Sequence, residues 1–374
     1  MSSDEPHRSN GLITPSPAAF AELMSLERLD DVEVSMDPDS HNHVKEKIEI
    51  FRSKAMPYPP GNGGRAFGGH VYAQAAYAAS KTVERGLVIN DMTGSFILPG
   101  RLDVPYIFTV RHLRDGAMYC IRAVDARQEG KICFSCLCSF KRDEKQQHFD
   151  HQPPPVQQRY KSLLQGKAPE DCMVSPSIDV DWWINQVHTG EIEEPIFPGL
   201  DVRKVDMGDY NQSQEVRQHP EEYRQLTYYR LKGSPADSIS SDTDLESIKT
   251  KDQSGEYDNL YACAHMYSSD KNSLLLIPRA LGQTRWTAMA SLTLTVIFHQ
   301  HGEALRMIDW NATSSQENRE FPHKWFIQEG WTPRSGENRA VHESWLWSPD
   351  GTLIATTIQD SLLRFGESER KEKL

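Results

Sequence analysis

An apolar helix with no face left for solvent, written twice, is the feature that most limits how this chain can fold. Residues 258–270, DNLYACAHMYSSD, set Leu260, Cys263, Ala264, Met266 and Tyr267 at helical spacing. Ala262 keeps that helix slim, and the stretch holds no β-branched residue. Residues 70–81, HVYAQAAYAASK, read as an alanine-rich helix with small side chains on several sides, which lets a sheet come close. Helices this apolar must be wrapped by other parts of the chain.

What would wrap them follows each in turn. After the first helix come strand-like runs at 90–98, 106–113, 118–128 and 131–140, punctuated by Asp115-Gly116 and Glu129-Gly130. Asp-Gly between such runs is a strong hairpin signal and Glu-Gly a weaker one. After the second helix come 290–300, 325–330, 340–347 and 352–364, with Asp350-Gly351 as a turn read as matching Gly116. The halves share little identity, so the repeat is one of architecture. Hairpins argue against parallel crossover units, leaving an α+β fold in which an antiparallel sheet wraps one helix in each half.

Around this repeat, residues 1–17 read as a polar tail and 18–29 as a short amphipathic helix carrying Phe20, Leu23, Leu26 and Leu29 on one face. Strands are expected at 32–36 and 47–51. The first domain would span 18–140. Residues 141–158 are charged, then glutamine-rich, with three successive prolines, the composition of an interdomain linker. The second domain would span 159–366, with strand-like pieces at 178–184, 202–205 and 223–231. Within it, residues 233–255 are so polar that they read as a disordered insertion, and residues 367–374 form a charged tail.

A length of 374 residues suffices for two cores, and the formal net charge of -12 argues against nucleic acid or an anionic membrane as partner. No apolar run is long enough to cross a membrane. The acidic, polar start lacks a secretory signal, and six cysteines in this length make no disulfide scaffold, so an intracellular setting is expected. The final Glu372-Lys373-Leu374 shares Lys-Leu with a peroxisomal address but puts Glu where a small residue belongs, so peroxisome and cytoplasm both stay open.

The chemistry-bearing residues are few. GNGGRAFGG at 61–69 lacks the Lys-Ser/Thr of a phosphate loop and the dinucleotide fingerprint. It reads equally as a flexible loop or as backbone, near Gly68 and Gly69, placed at a helix start to face an anion or a developing oxyanion. His70, the next residue, fits a helix-start hydrogen bond as well as a functional role. Alternation along one strand separates Cys133 from Cys136 and Cys138, which makes them core residues and not metal thiolates. His41, His43, His148 and His151 lie in tail or linker, and no G-x-S-x-G elbow or H-E-x-x-H pair is present. Three polar residues remain: Asp270, a carboxylate at the electrostatically unfavourable end of its helix; Ser291, opening SLTLTVIFH; and Gln359, interrupting LIATTIQDSLL. The repeat sets their helix and strands side by side.

Taken in order, RAFGGHVYAQAAYAA, SFILPG, LRDGAMYCIRAV, YSSD with LLLIPRALG, SLTLTVIFH and SPDGTLIATTIQDSLLR resemble the acyl-CoA thioesterase II family of the bacterial medium-chain and peroxisomal type, from about residue 23 to residue 366 outside the linker and residues 233–255. The resemblance implies a tandem double hot-dog fold, each half a helix cradled by an antiparallel sheet. It implies hydrolysis of fatty acyl-CoA to fatty acid and CoA by a positioned water, without metal, cofactor or covalent intermediate, in a protein that forms homo-oligomers. The family's Asp, Ser/Thr and Gln fall on Asp270, Ser291 and Gln359. His70 stands where the family has Gln, Thr293 and Leu294 where it has Asp and His, and Asp360 and Ser361 where it has Glu and Gly. These changes imply altered substrate preference or rate. The missing Asp-His pair weighs against dehydratase chemistry, and a weakly active or inactive acyl-CoA-binding or structural protein is the alternative.

Overall fold

The computed structural model describes residues 19–35, 45–61, 63–145, 148–236, 245–312 and 322–365. Both apolar stretches are helices, Gly68–Ser80 and Asp258–Ser269. Residues 69–79 of the first and 260–269 of the second are buried without a break.

In the first half the strands are β1 (Leu26–Arg28), β2 (Val32–Ser35), β3 (Lys45–Ser53), β4 (Leu87–Phe96), β5 (Ile107–Asp115), β6 (Tyr119–Gln128) and β7 (Lys131–Arg142). The second half holds β8 (Met173–Val174), β9 (Leu200–Lys204), β10 (Gln225–Leu231), β11 (Ala288–Phe298), β12 (Phe326–Gly336), β13 (Arg339–Trp347) and β14 (Leu353–Arg364). They form one sheet in the order β1-β3-β5-β6-β7-β4-β11-β14-β13-β12-β10-β9-β8, with β2 beside β3. Every pairing between these strands is antiparallel. Met92, Phe108, Val110, Val124, Cys136 and Cys138 are buried in the first half, as are Leu294, Val296, Phe326, Leu346 and Ala355 in the second. This is the tandem double hot-dog arrangement.

The halves are joined where β4 pairs with β11, from Ser95 opposite Thr293 to Asp91 opposite Ile297. The two core helices pack against each other, an approach that the small residues of the first helix permit. They run in opposite directions. Asn259, at the start of the second helix, accepts from Ile89 N at 2.9 Å and donates to Leu87 O at 2.9 Å, beyond the end of the first. At the other end, Asp270 meets Gly68 and Gly69.

Several expectations need correction. The helix expected at 18–29 is only Phe20–Leu23; Leu26–Arg28 instead pairs with β3, because an edge strand with free ladder groups lies beside it. Residues 178–184 are not a strand: Asp181–His188 is a helix, with an acidic first turn and Trp183 packed among Ile178, Val180, Val187 and Leu275. The expected linker is attached to the second half. Gln152 bonds Gly351 O at 2.8 Å and Leu353 N at 2.9 Å, and Val156 is buried beside Trp347. Its glutamines extend the hydrogen bonding of the sheet, which composition alone does not reveal. In the expected insertion, Leu245–Gln253 is a helix anchored by buried Ile248 and by Asp252, which accepts from Trp310 Nε1 at 2.6 Å. Residues 237–244 of that segment, and the tails at 1–18 and 366–374, lie outside the described residues.

The hairpin signals were ranked the wrong way round. Glu129-Gly130 is the tight turn, with φ of 49° and 77° between paired Gln128 and Lys131. Asp115 is held by Arg122 Nη2 at 2.6 Å and pairs with Cys120, so its turn spreads over 116–119. Gly116 and Gly351 are not counterparts either. The β5–β6 turn matches Glu337-Asn338, and the turn at Gly351 matches Glu129-Gly130.

Gly94, opposite Leu294 at the junction, has no space for a side chain: a Cβ there would come within 2.6 Å of Phe134 Cε2 and 3.1 Å of Cys136 Cβ. Gly94→Ala is expected to cost about 1–3 kcal/mol of stability, read as a lower urea midpoint. An unchanged midpoint would show that the junction yields more readily than its packing indicates.

Candidate active site

The second core helix ends at Ser269, and Asp270 turns the chain out of it. Asn272 completes the turn in the left-handed region, at φ 58°, where asparagine is tolerated better than most residues. Two contacts clamp it from outside: Lys271 Nζ and Asn272 Nδ2 both donate to Pro176 O, at 2.8 and 2.9 Å. The carboxylate of Asp270 is thereby held still in a buried position, 7% exposed.

Gln359 reaches it from β14. Its Nε2 donates to Asp270 Oδ1 at 2.7 Å and to Ser291 Oγ at 2.8 Å, one proton to each. Ser291 is turned inward by a local irregularity. The β11–β14 register shifts between Ser291 and Thr293, so Ser291 lies opposite Ser361 while Leu294 lies opposite Gln359. In a regular strand, residues 291 and 294 would face opposite sides of the sheet; the bulge puts both inside. The three residues expected from the sequence are therefore joined through the amide of Gln359.

The first half supplies the other wall. A Cβ on Gly68 would lie 3.0 Å from Asp270 Oδ2, and one on Gly69 would lie 2.7 Å from Phe67 Cε1 and 3.0 Å from Asp270 Cβ. Two glycines at this helix start are what let the carboxylate approach. The Gly69 amide bonds it, and the positive end of the first helix lies against it. A charge poorly placed on its own helix is well placed on its neighbour.

Burial pushes the Asp270 carboxyl up to about 6, against the opposing hydrogen bonds of Gln359, the Gly69 amide and Ser273. Burial likewise raises the hydroxyls of Tyr58 and Tyr72, with the charge of Asp270 adding to both. Tyr58 shares a short hydrogen bond with the hydroxyl of Tyr267, which donates to Pro198 O at 2.9 Å. A carboxylate that titrates near neutrality beside a serine hydroxyl can take a proton from water at physiological pH.

His70 does not join this set. Its Nε2 lies 3.3 Å from Leu23 O, its ring lies against Tyr58, and burial pushes it down to about 4, so it is neutral and ties down the N-terminal segment. Leu294 is a core residue, Asp360 pairs with Arg339, and Ser361 is buried with an unpartnered Oγ. Ser273, whose Oγ donates to Asp270 Oδ1 at 3.3 Å, was missed; its only sequence signal is its place three residues after the carboxylate. A cavity of about 690 Å³ lies elsewhere, with Lys204 and Arg279 on its wall, both already paired with Asp179.

Residues 57–141 match the family model described as acyl-CoA thioesterase N-terminal domain, and residues 248–363 match the acyl-CoA thioesterase C-terminal domain, together more than half of the chain. Gly68, Gly69 and His70 fall in the first span, and Asp270, Ser291 and Gln359 in the second. Acyl-coenzyme A thioesterase 8 of Mus musculus is 25% identical over 87% of this chain and 88% of its own length. Acyl-CoA thioesterase 2 of Haemophilus influenzae is 24% identical over 81% and 89%. The solved acyl-CoA thioesterase II of Mycobacterium marinum superposes with a TM-score of 0.57 at 20% identity, covering 94% of this chain and 99% of that one, a likeness of fold.

The raised carboxyl carries a stability signature. Between pH 4 and about 6 the folded protein keeps a proton on Asp270 that the unfolded chain releases, so stability falls as pH rises through that window. Asparagine has no charge to bury. Asp270→Asn is therefore expected to be more stable than the parent at pH 7 by about 1–3 kcal/mol, with little difference at pH 4, as measured by urea unfolding. A variant that is less stable at pH 7 would contradict the burial-driven shift.

Proposed function

Because the chain belongs to the acyl-CoA thioesterase family, we propose that it hydrolyses the thioester of fatty acyl-CoA to fatty acid and CoA, with Asp270, Ser291 and Gln359 activating and positioning the water. The observation that carries this reading is the single amide of Gln359 bonded at once to a buried carboxylate and a serine hydroxyl.

In this reading a water sits between Asp270 and Ser291. Asp270 takes one of its protons as the oxygen attacks the carbonyl carbon, with no bond from protein to substrate. Ser291, its lone pair engaged by Gln359, has its own proton to offer and holds the water by it. Charge gathers on the carbonyl oxygen, and the positive end of the first helix at Gly68 and Gly69 favours it. The tetrahedral intermediate then expels the CoA sulfur, which leaves as a thiolate or takes the proton from Asp270. The carbonyl carbon keeps the oxygen from water. The family spans and the names of the relatives support the substrate class; the geometry supports the roles of the residues.

The reading is tested by following thiol release from a series of saturated acyl-CoAs. Asp270→Asn is expected to lower kcat at least about a hundredfold, the usual size of an acid–base contribution. The kcat/KM of the parent should fall as pH drops through about 6, where Asp270 takes up its proton. An undiminished rate in Asp270→Asn would sink the assignment. Acyl-CoA binding without thiol release by the parent would favour the non-catalytic alternative.

A further inference from the structure

The hydrogen bonds around Gln359 are only half accounted for. Its Nε2 is fully used by Asp270 and Ser291, yet its Oε1 is buried with no partner among the described residues. Those two bonds alone set which end of the amide faces the carboxylate. Turned over, the amide would aim its oxygen at Asp270 and lose both bonds.

Directly across the sheet from Gln359 is His342, on β13. Both side chains are inside the second half, 0% and 2% exposed. The ring nitrogen Nδ1 of His342 is also buried without a partner. Facing residues on neighbouring antiparallel strands have Cβ atoms about 4.5–5.5 Å apart, within reach for a histidine and a glutamine. Two buried polar atoms without partners on facing residues are an arrangement that proteins seldom leave unused. The ring has a made seat. A Cβ on Gly330 of β12 would lie 3.0 Å from His342 Nε2 and 3.3 Å from Leu276 Cδ1, so a larger residue there would push on the imidazole.

We propose that His342 is a positioning residue: its ring N–H supplies the donor for Gln359 Oε1 and so keeps both N–H bonds of the amide on Asp270 and Ser291. This rests on the assignment of Gln359 to the water-positioning set. The ring suits the task because it stays neutral. Burial is the one resolved influence on it and pushes it down to about 3, so it carries one N–H throughout the working pH range. The competing donor is Ser361, whose Oγ is also unpartnered. Ser361 is two residues along the same strand, about 7 Å away, and its side chain is short. Thr357, on the other side, is already bonded to Ser344 at 2.6 Å.

The consequence reaches Asp270 through Gln359, whose hydrogen bond holds the carboxyl lower than burial alone would set it. Ser273 and the Gly69 amide also bond that carboxyl, the Tyr58 and Tyr72 hydroxyls feel its charge while bonded to Tyr267 and Met92 O, and Lys271 turns away to Pro176. Loosening the amide should therefore move the acid limb of the pH profile to higher pH.

The test compares His342→Leu, His342→Gln, Gly330→Ala and Ser361→Ala by kcat, KM and the acid limb of kcat/KM for thiol release, with urea unfolding as the check on folding. His342→Leu should lower kcat about tenfold and raise the acid limb, with KM little changed, the pattern of lost alignment. His342→Gln, which keeps a donor, should recover most of both. Gly330→Ala, which shifts the ring without removing it, should fall between, and it carries the test if His342→Leu does not fold. A folded His342→Leu with the parent's kcat and acid limb would overturn the proposal, as would a shift produced by Ser361→Ala and not by His342→Leu. If Asp270→Asn is inactive while His342→Leu behaves as the parent, only this inference fails. If Asp270→Asn keeps full activity, the parent reading fails first.

Discussion

Everything at the candidate site depends on the pairing of β4 with β11. That ladder turns two hot-dog halves into one sheet and fixes how their core helices lie. With the helices antiparallel and in contact, the start of the first is delivered to the end of the second. Asp270 then sits where a positive helix end, a glycine amide and a glutamine from β14 converge. In the second half alone the carboxylate would lose the helix start at Gly68 and Gly69. Gly94, lacking any side chain at the junction, and the glycines at 68 and 69, lacking any against Asp270, are the points where this assembly is tightest.

The halves have the same architecture but different interiors. The first surrounds its helix mainly with apolar and cysteine side chains such as Phe108, Val110, Val124, Cys136 and Cys138, with Gln74 and Arg122 among its buried polar exceptions beside Glu49, His70 and Gln128. The second has Gln328, His342, Ser344, Thr357, Gln359 and Ser361 buried along β12, β13 and β14. Where its helix ends in Asp270, the first ends at Lys81, which bonds the hydroxyl of Tyr77. The second half brings its polar groups to the end of its helix, and the first presents its helix start to them. The cost of this division is concentrated at Asp270, a carboxylate that burial makes reluctant to ionise, a trade of stability for a group suited to proton transfer.

The central part of this arrangement was legible in the sequence, and the reason is periodicity. Apolar helices with at most one β-branched residue and strands set off by turn residues produce strong local patterns, so both core helices and the eight strands that follow them fall close to their expected places. Asp270, Ser291 and Gln359 stood out as polar residues on apolar elements. What local pattern could not show was anything decided by a partner. Leu26–Arg28 follows β3 and not its own helical spacing, and Gln152 is bound by a hairpin two hundred residues away in sequence. The bulge at Ser291 and the role of Gly69 exist only once β14 and the second helix are in place. His342 carries no local signal of its own; its interest comes from the residue opposite.

The central claim is that Asp270 acts on a water and not on the substrate. The most direct measurement is a single turnover, enzyme in excess over acyl-CoA, in water labelled with heavy oxygen, with mass analysis of the fatty acid and of the peptide containing Asp270. Direct attack by water places the label in the fatty acid of the first turnover and leaves the Asp270 carboxylate unlabelled. An unlabelled first-turnover acid, with label appearing in Asp270, would mean that the carboxylate attacks the thioester itself and would contradict the account.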